Sequence, residues 1–298
     1  MKAIWAVIGL TTMAAATPAT ASETDKCVIR RPADSDLKVY AAHYFPKADA
    51  ATIDALLACL GDPDPAVRDG FAFTLWSEGL RGKQVEPALM RHANARLQAM
   101  MAGPGDASGF RRPFAALALA EVARADRIEP FLTDAELHAL AEAGAIYLRG
   151  VTDYRGFTAG EGWRHGVAHG ADLMLQLALN PRLSRADADR LLAAIAAQVA
   201  PAASPYYVHG EPGRLAGPIL YLARRSDIDD AAWAAWFQSL HPDASPRWRD
   251  AYAGAAGLAA IHNSTAFASA IYVSASESKD PQIRRLAPLA VELIRALP

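Results

Sequence analysis

The chain has 298 residues, of which 52% are hydrophobic and 21% are charged, and its formal net charge at pH 7 is −2. This balance argues against a nucleic-acid partner, because proteins that bind polyanions carry a basic excess to neutralise phosphates. After the N-terminal segment, no apolar run reaches the ~18 residues that indicate a membrane-spanning helix. We therefore expect the mature chain to have no membrane span and to bury its apolar residues in a core.

The N-terminus has the pattern of a secretory signal. Met1-Lys2 is a short positive start, and the apolar run Ala3–Ala16 is too short to cross a bilayer. Ala19–Ala21 supplies the small-x-small pattern that signal peptidase requires. We predict that residues 1–21 are a signal peptide and that the mature protein is exported, either periplasmic or secreted.

The chain contains two cysteines, Cys27 and Cys59, and both belong to the predicted mature part. In an oxidising compartment they can pair. The bridge would join an N-terminal extension, residues 22–48, to the end of the first predicted helix, and its loop-closure effect would be roughly 3–4 kcal/mol. The alternative is two buried, unpaired thiols, which are common in protein cores. No lipobox precedes Cys27, so we do not expect a lipid anchor.

The rest of the chain, residues 49–298, is predicted to be a single all-α helical-repeat domain, since long Ala- and Leu-rich segments with 3.6-residue periodicity alternate with short Gly, Pro and Asp punctuation. Side chains suited to N-caps precede several of the helices: Asp49, Thr133, Ser184 and Asp230. The predicted helices are Ala50–Leu60, Pro65–Gly79, Val85–Met101, Arg112–Ala125, Asp134–Leu148, Gly162–Leu179, Arg185–Val199, Gly213–Arg224, Ala231–Leu240, Ala251–Ala260 and Pro281–Leu297.

Two helix starts share the form Asp-Pro-x-(Val/Ile)-Arg: Asp64–Arg68 and Asp280–Arg284. In this motif Asp is a side-chain cap and Pro occupies the first helical position, where its missing N–H has no cost. The motif resembles the turn between the helices of HEAT-type repeats. That resemblance implies antiparallel helix pairs stacked as a HEAT-like α-solenoid or an α-α superhelix, with the Arg reaching back along the neighbouring repeat.

The segment from Asp153 to Asp172 gathers most of the residues suited to chemistry. If a helix begins near Glu161, then Glu161, His165, His169 and Asp172 lie on one narrow stripe of it, because the helix turns by about 100° per residue. Two His at i and i+4 and a carboxylate three residues later can face one divalent metal ion. The same groups could form a catalytic or ligand-binding pocket, or a hydrogen-bonded network between helices.

Gly162, Gly166 and Gly170 form a second stripe beside the first one. Glycine inside a helix costs about 1 kcal/mol relative to Ala, so we expect something to approach closely there. A packed neighbouring helix is the more ordinary explanation, and a bound ligand is the other.

Several further residues are predicted to reach the start of the same helix. A loop delivers Arg155 and Trp163, and a helix N-terminus with a nearby Arg favours an anion. The alternative is that Arg155 pairs with Asp153 or Glu161. The remaining candidates for the pocket are polar residues near helix starts, where pocket rims commonly lie: Arg111, Glu211 and Arg214.

These residues carry a resemblance to a family. The segment Arg155-Gly-Phe, Gly160-x-Gly162-Trp163-x-His165-x-x-Ala168-His169-x-Ala171-Asp172 is similar to the signature of a bacterial family known as domain of unknown function 2785. The similarity runs roughly from Thr52 to Leu240. The resemblance implies a fold similar to helical-repeat proteins and implies no activity. Many members of the family lack an export signal, so the predicted signal peptide is a departure from the family.

Two functional hypotheses follow. In the first, a polar pocket centred on His165, His169 and Asp172 binds a small anionic ligand or a divalent metal, with Glu161, His165, His169 or Asp172 also serving as candidate catalytic groups. In the second, the protein is a non-catalytic scaffold whose concave surface binds a protein or peptide.

Overall fold

Helices follow one another throughout the part of the chain that the computed structural model describes, which comprises residues 27–29, 32, 36–202, 205–242, 248 and 250–298. The predicted signal peptide, residues 1–21, lies outside these residues. The prediction of an all-α chain is confirmed.

Most of the described residues belong to α-helices, which are labelled α1 to α14. In chain order they are α1 Leu37–Tyr44, α2 Ala50–Ala58, α3 Pro65–Val67, α4 Thr74–Arg81, α5 Pro87–Ala102, α6 Arg111–Ile128, α7 Asp134–Arg149, α8 Gly166–Ala178, α9 Arg185–Val199, α10 Glu211–Leu222, α11 Asp230–Ser239, α12 Ala255–Glu277, α13 Pro281–Arg284 and α14 Leu286–Ala296. A π-helical segment, Arg68–Phe73, joins α3 to α4, and short 3-10 helices cover Phe45–Lys47, Cys59–Gly61 and Ala251–Ala253. Between α7 and α8, strands β1 Phe157–Thr158 and β2 Gly162–Trp163 pair antiparallel.

Two helical segments escape prediction from the sequence. Helix α1 lies within the N-terminal extension, begins at an Asp36 cap and packs against α4. Helix α12 continues to Glu277, far past the predicted end at Ala260. The part beyond Ala260 begins with the polar run His262-Asn263-Ser264, in which Asn263 is buried and its side-chain oxygen accepts the Tyr207 N–H at 2.8 Å. Tertiary hydrogen bonding therefore outweighs local propensity in this segment.

Cys27 and Cys59 form a disulfide, as predicted. Cys59 is fully buried at the end of α2, and Cys27 lies against the same core. The bond closes a loop with a sequence separation of 32 residues. It therefore fastens the N-terminal extension to the helical domain.

The helices contact one another in two sequential rows. In one row α4, α6, α8, α10, α12 and α14 each pack against the next; in the other α5, α7 and α9 do the same. Apolar faces of both rows enclose one large core, whose largest fully buried side chains include Trp76, Phe114 and Trp233. The indole N–H of Trp76 donates to the Ala118 carbonyl at 3.2 Å, which satisfies its only polar atom. Within the described residues, no helix combines the length and apolar composition that crossing a bilayer requires.

Most of the predicted caps are present. Asp49, Thr133 and Ser184 each accept a backbone N–H of the following turn, and Thr133 forms a full capping box with Glu136. At the start of α11 the cap is Asp229, one residue before the predicted Asp230. Asp229 holds this position because its side chain accepts the Ala232 N–H at 2.8 Å, whereas Asp230 is already in the helix.

Both Asp-Pro motifs cap their helices through the Asp side chain, but their arginines differ. Arg68 is fully buried and spans to the loop before α8, where it donates to the Glu161 carbonyl at 2.8 Å. Arg284 is exposed. The neighbouring Arg285 reaches back instead and donates to the carbonyls of Ala223 and Ile228.

Candidate functional site

Helix α8 begins at Gly166, and not near Glu161 as the stripe model assumes. The residues before it form the β1–β2 hairpin, whose turn contains Gly160 at φ +82° and whose second strand begins at Gly162 with φ +81°. Such angles suit glycine and interrupt a helix. The predicted helical start at Gly162 is therefore wrong, and Glu161 lies on the hairpin rather than on the stripe with His165, His169 and Asp172.

His165 is the N-cap residue of α8 and has φ +52°. This left-handed conformation is unfavourable for a residue with a Cβ, and strain of this kind concentrates at functional sites. The hairpin holds it, because the His165 N–H donates to the Arg155 carbonyl at 3.3 Å. The ring of His165 lies against that of Trp163.

Three imidazoles and an indole come together at this point, and we call Trp163, His165, His169 and His209 the histidine cluster. The His165 ring lies 4.2 Å from the Trp163 ring, 5.9 Å from His169 and 6.2 Å from His209, measured between centroids. Trp163 is 39% exposed, so it covers His165 from the solvent side. On the inner side, the His169 ring meets Phe114 of α6 edge-on at 5.0 Å.

Two buried nitrogens of the cluster have no hydrogen-bond partner within the described residues: Nε2 of His165 and Nδ1 of His169. Burial lowers the pKa of His169 to about 3, and the neighbouring His165 and Arg214 act in the same direction. Burial also lowers the pKa of His165, chiefly through lost solvation. Both rings are therefore neutral at physiological pH, and a neutral imidazole offers one lone pair and one N–H.

Asp172 lies one turn further along α8, and its carboxylate forms a salt bridge with Arg214 of α10. Burial raises the pKa of Asp172 to about 6, despite the opposing effect of Arg214. A carboxyl group with this pKa exchanges a proton near neutral pH, as general acids and bases do. The same salt bridge ties α8 to α10.

The loop before α10 lies beside the histidine cluster. It brings His209 to Trp163, at 5.5 Å between centroids, and places Glu211 in the first turn of α10. Glu211 is buried and accepts the His209 N–H at 2.9 Å. Gly156 lies directly against the His209 ring, and a Cβ there would overlap with it.

The other predicted ligand residues are placed less centrally. Arg155 pairs with Asp153, with Nε 2.9 Å from Oδ1, so the salt-bridge alternative is correct for this residue. Glu161 pairs through its carboxylate with Arg164 at 2.8 Å. Arg111 is the first residue of α6, and its side chain lies against Gly61.

The glycine stripe is divided by the hairpin. Gly162 lies on β2, whereas Gly166 and Gly170 lie on α8 and face the end of α7. A Cβ at Gly170 would lie 3.0 Å from Leu148 and 3.1 Å from Tyr147. Close helix packing, the more ordinary explanation, therefore accounts for these two glycines.

Open space near the cluster is limited. A narrow cleft lies between the N-terminal ends of α8 and α10, lined by Tyr154, Arg155, His165, Tyr207 and Glu211. Behind Gly166 there is a separate cavity of about 110 Å³, bordered by Asp106, Arg112 and Asp153. The cleft is closed even to a water molecule, so a ligand there would have to displace side chains, whereas the cavity is large enough for a few water molecules.

No three His, Cys, Asp or Glu side chains are grouped closely enough to hold a metal ion in the described part of the chain. Asp172, the third predicted ligand, is occupied by Arg214. Zinc sites normally have three or four protein ligands. The divalent metal accordingly stays a prediction, with His165 and His169 as its remaining pair of neighbouring imidazoles.

Sequence reasoning missed Arg68 as a residue of this region. Its guanidinium is fully buried, lies 3.7 Å over the Phe110 ring and donates to the carbonyls of Asp62, Pro63 and Glu161. It thereby holds the hairpin that carries Trp163 against α6. The Asp-Pro-x-Val-Arg motif marks this Arg as a connecting residue but does not reveal the hairpin as its partner.

Comparison with known proteins gives one finding. No curated protein and no solved structure shows a significant match to this chain. A family model described as "Protein of unknown function (DUF2785)" matches residues 97–273, which is more than half of the chain and includes the histidine cluster. The chain therefore belongs to the DUF2785 family.

Proposed function

We propose that the histidine cluster is a binding site for a small ligand with a positively charged group, either a divalent metal ion or an organic ammonium group. The observation that carries the proposal is the pair of buried, unpartnered nitrogens on His165 and His169. Buried polar atoms in native proteins nearly always have a hydrogen-bond partner, and each exception calls for an explanation such as a water or a bound ligand.

Charge around the cluster supports a cation more than the predicted anion. Arg155 and Arg214 are both paired with carboxylates, so neither offers an unneutralised charge to an anion. Glu211 is buried beside His165 and raises the pKa of that ring, which is the effect of a nearby negative charge, while Arg214 lowers it. The half-exposed Trp163 adds an aromatic face, to which cations are attracted.

The test uses the full mature chain and two probes, Ni²⁺ and ethylammonium, followed by isothermal titration calorimetry. We expect His165→Gln and His169→Gln each to weaken the binding of a metal at least tenfold, since each removes one ligand nitrogen. We expect Glu211→Gln to weaken ethylammonium similarly, because it removes the negative charge. His43→Gln is the matched control, since His43 is exposed at the end of α1.

The two probes separate the two ligand classes. Nickel binding that depends on His165 and His169 would identify a metal site, whereas ethylammonium binding that depends on Glu211 would identify an ammonium site. If neither probe binds, or if all variants bind as His43→Gln does, the site is a structural network between helices and the proposal fails.

We further propose that the protein is exported and that its helices form a HEAT-like solenoid. The disulfide supports export because such bonds persist in oxidising compartments. The two sequential rows of helices and the capped Asp-Pro turns support the solenoid. Export is tested by fusing residues 1–21 of this chain to alkaline phosphatase that lacks its own signal peptide. Absence of phosphatase activity in the periplasm would contradict export.

A further inference from the structure

A groove of about 610 Å³ lies between the α4–α5 connection and the C-terminal end of α6. This volume is within the range of ligand-binding sites. It is remote from the histidine cluster, because α6 contacts His169 near its start and reaches the groove at its end. The 18 residues of that helix span about 27 Å. The groove is therefore a separate site.

Part of the groove wall is apolar, and the rest is polar or charged. Val85 and Phe131 form its buried part, Met90 is partly buried, and Ile128 is 49% exposed on one side. An apolar surface that borders a concave space is suited to apolar side chains of a ligand, because binding removes both surfaces from water.

Among the described residues, one cation that lines the groove has no ion-pair partner. Arg81 pairs with Glu121, and Lys83 pairs with Glu129 at 2.8 Å. Arg124 also lines the groove and makes no ion pair or hydrogen bond within the described residues. A guanidinium in this state is a ready partner for a carboxylate, which it can bind through two parallel hydrogen bonds.

Two further polar groups lie in the groove. The side-chain oxygen of Gln84 is buried and has no hydrogen-bond partner in the described part of the chain, so it can accept an N–H. Glu86 is exposed at the start of α5, and its side chain does not cap that helix. Lys83 has a left-handed φ of 55°, which ends α4 and leads the chain directly to these two residues.

We propose that this groove binds short apolar peptides that carry a free C-terminal carboxylate. Arg124 binds the carboxylate, the Gln84 oxygen accepts a peptide N–H, and Glu86 faces the free ammonium of a dipeptide. The apolar side chains of the peptide lie on Val85, Met90, Ile128 and Phe131. This arrangement matches each unpartnered polar group of the groove with a group that every short peptide has.

The test is calorimetric titration of the full chain with the dipeptide Leu-Leu, with its C-terminal amide and with N-acetyl-Leu-Leu. We expect the amide to bind at least tenfold more weakly, because it lacks the charge-assisted bond to Arg124. Arg124→Gln should weaken Leu-Leu by a similar factor and abolish the preference for the free acid. Glu86→Gln should abolish the preference for Leu-Leu over its acetylated form.

Arg149→Gln is the matched control, because Arg149 is an exposed arginine at the end of α7 and does not line the groove. Ile128→Glu, at a half-exposed position, should repel the carboxylate without loss of folding. Absence of saturable Leu-Leu binding at millimolar concentrations would overturn the proposal. So would equal binding of acid and amide, or binding of dodecanoate in preference to the dipeptide, which would indicate a fatty-acid site.

Discussion

The replacement Arg68→Met should greatly destabilise the protein, whereas Arg284→Met should not, although both arginines occupy the same position of an Asp-Pro-x-(Val/Ile)-Arg motif. Arg68 is 0% exposed and donates to three backbone carbonyls at 2.8–3.1 Å. Arg284 is exposed on α13. Methionine keeps most of the apolar stem and removes only the charged head, so the comparison isolates the guanidinium.

The magnitude follows from what the guanidinium satisfies. Hydrogen bonds to a charged group contribute about 1.5–3 kcal/mol each, and the stacking of Arg68 on Phe110 at 3.7 Å adds about 1–2 kcal/mol. The cost of removing a buried guanidinium from water offsets a large part of this sum, and the same cost lowers the pKa of Arg68. We therefore expect a net loss of about 3–5 kcal/mol, which is typical of breaking a buried charged network.

Urea denaturation followed by far-UV circular dichroism measures both variants. Limited proteolysis gives a second readout, because Arg68 donates to the Glu161 carbonyl of the β1–β2 hairpin and so protects this hairpin from cleavage. Arg68→Met should make the hairpin more susceptible. For Arg284→Met we expect a change of at most about 0.5 kcal/mol, as for ordinary surface replacements. If Arg68→Met costs less than about 1 kcal/mol, or if the two variants are equally affected, the buried network is not what stabilises this end of the fold.

Three further predictions concern the disulfide and the titrating groups of the site. Replacing both Cys27 and Cys59 by Ser should lower the free energy of unfolding by about 3–4 kcal/mol, because the unfolded chain regains the entropy of an open loop. Urea denaturation measures this change, and an unchanged urea midpoint of unfolding would contradict the prediction. The pKa of His169 is about 3 in the folded state and ordinarily 6.5, so between these pH values the unfolded state binds a proton that the folded state does not bind. The free energy of unfolding therefore decreases as the pH falls from 6.5 towards 3. His169→Gln should reduce that pH dependence, and an unaltered slope would show that another group causes it. The Asp172 pKa is raised from 3.8 to about 6, so here the folded state holds the proton more tightly and stability falls as the pH rises from about 4 to 6. Asp172→Asn should remove this opposing slope, so in thermal melts at graded pH the variant should lose stability more steeply than the wild type as the pH falls from about 6 to 4. A pH dependence identical to that of the wild type would refute the assignment.

The helical elements were largely predictable, because apolar periodicity and capping residues are local properties of the sequence. Asp64, Asp280, Thr133 and Ser184 cap the helices they precede. Helix α12 shows the limit of this reasoning, since it continues past Ala260 through a polar run whose Asn263 contacts the loop before α10.

The site was predictable in composition but not in geometry. His165, His169, Asp172, Trp163, Glu211 and Arg214 do gather around the ends of α8 and α10. A helical wheel from Glu161 nevertheless assumes a continuous helix, and Gly160 and Gly162 with positive φ form a hairpin there instead. The carboxylate that each arginine binds also depends on distances between helices, which cannot be read from residue spacing along the chain.

Local periodicity and residue chemistry were enough to predict the class of fold, the cysteine pair and the segment where polar groups concentrate. Only the packing of the helices shows that Arg68 is buried while Arg284 is exposed, that His165 takes a strained backbone against Trp163, and that Arg124 lines a groove with no ion-pair partner among the described residues. The physical reason is that burial and pairing depend on which distant helices meet, and solvation and charge at each residue follow from that packing.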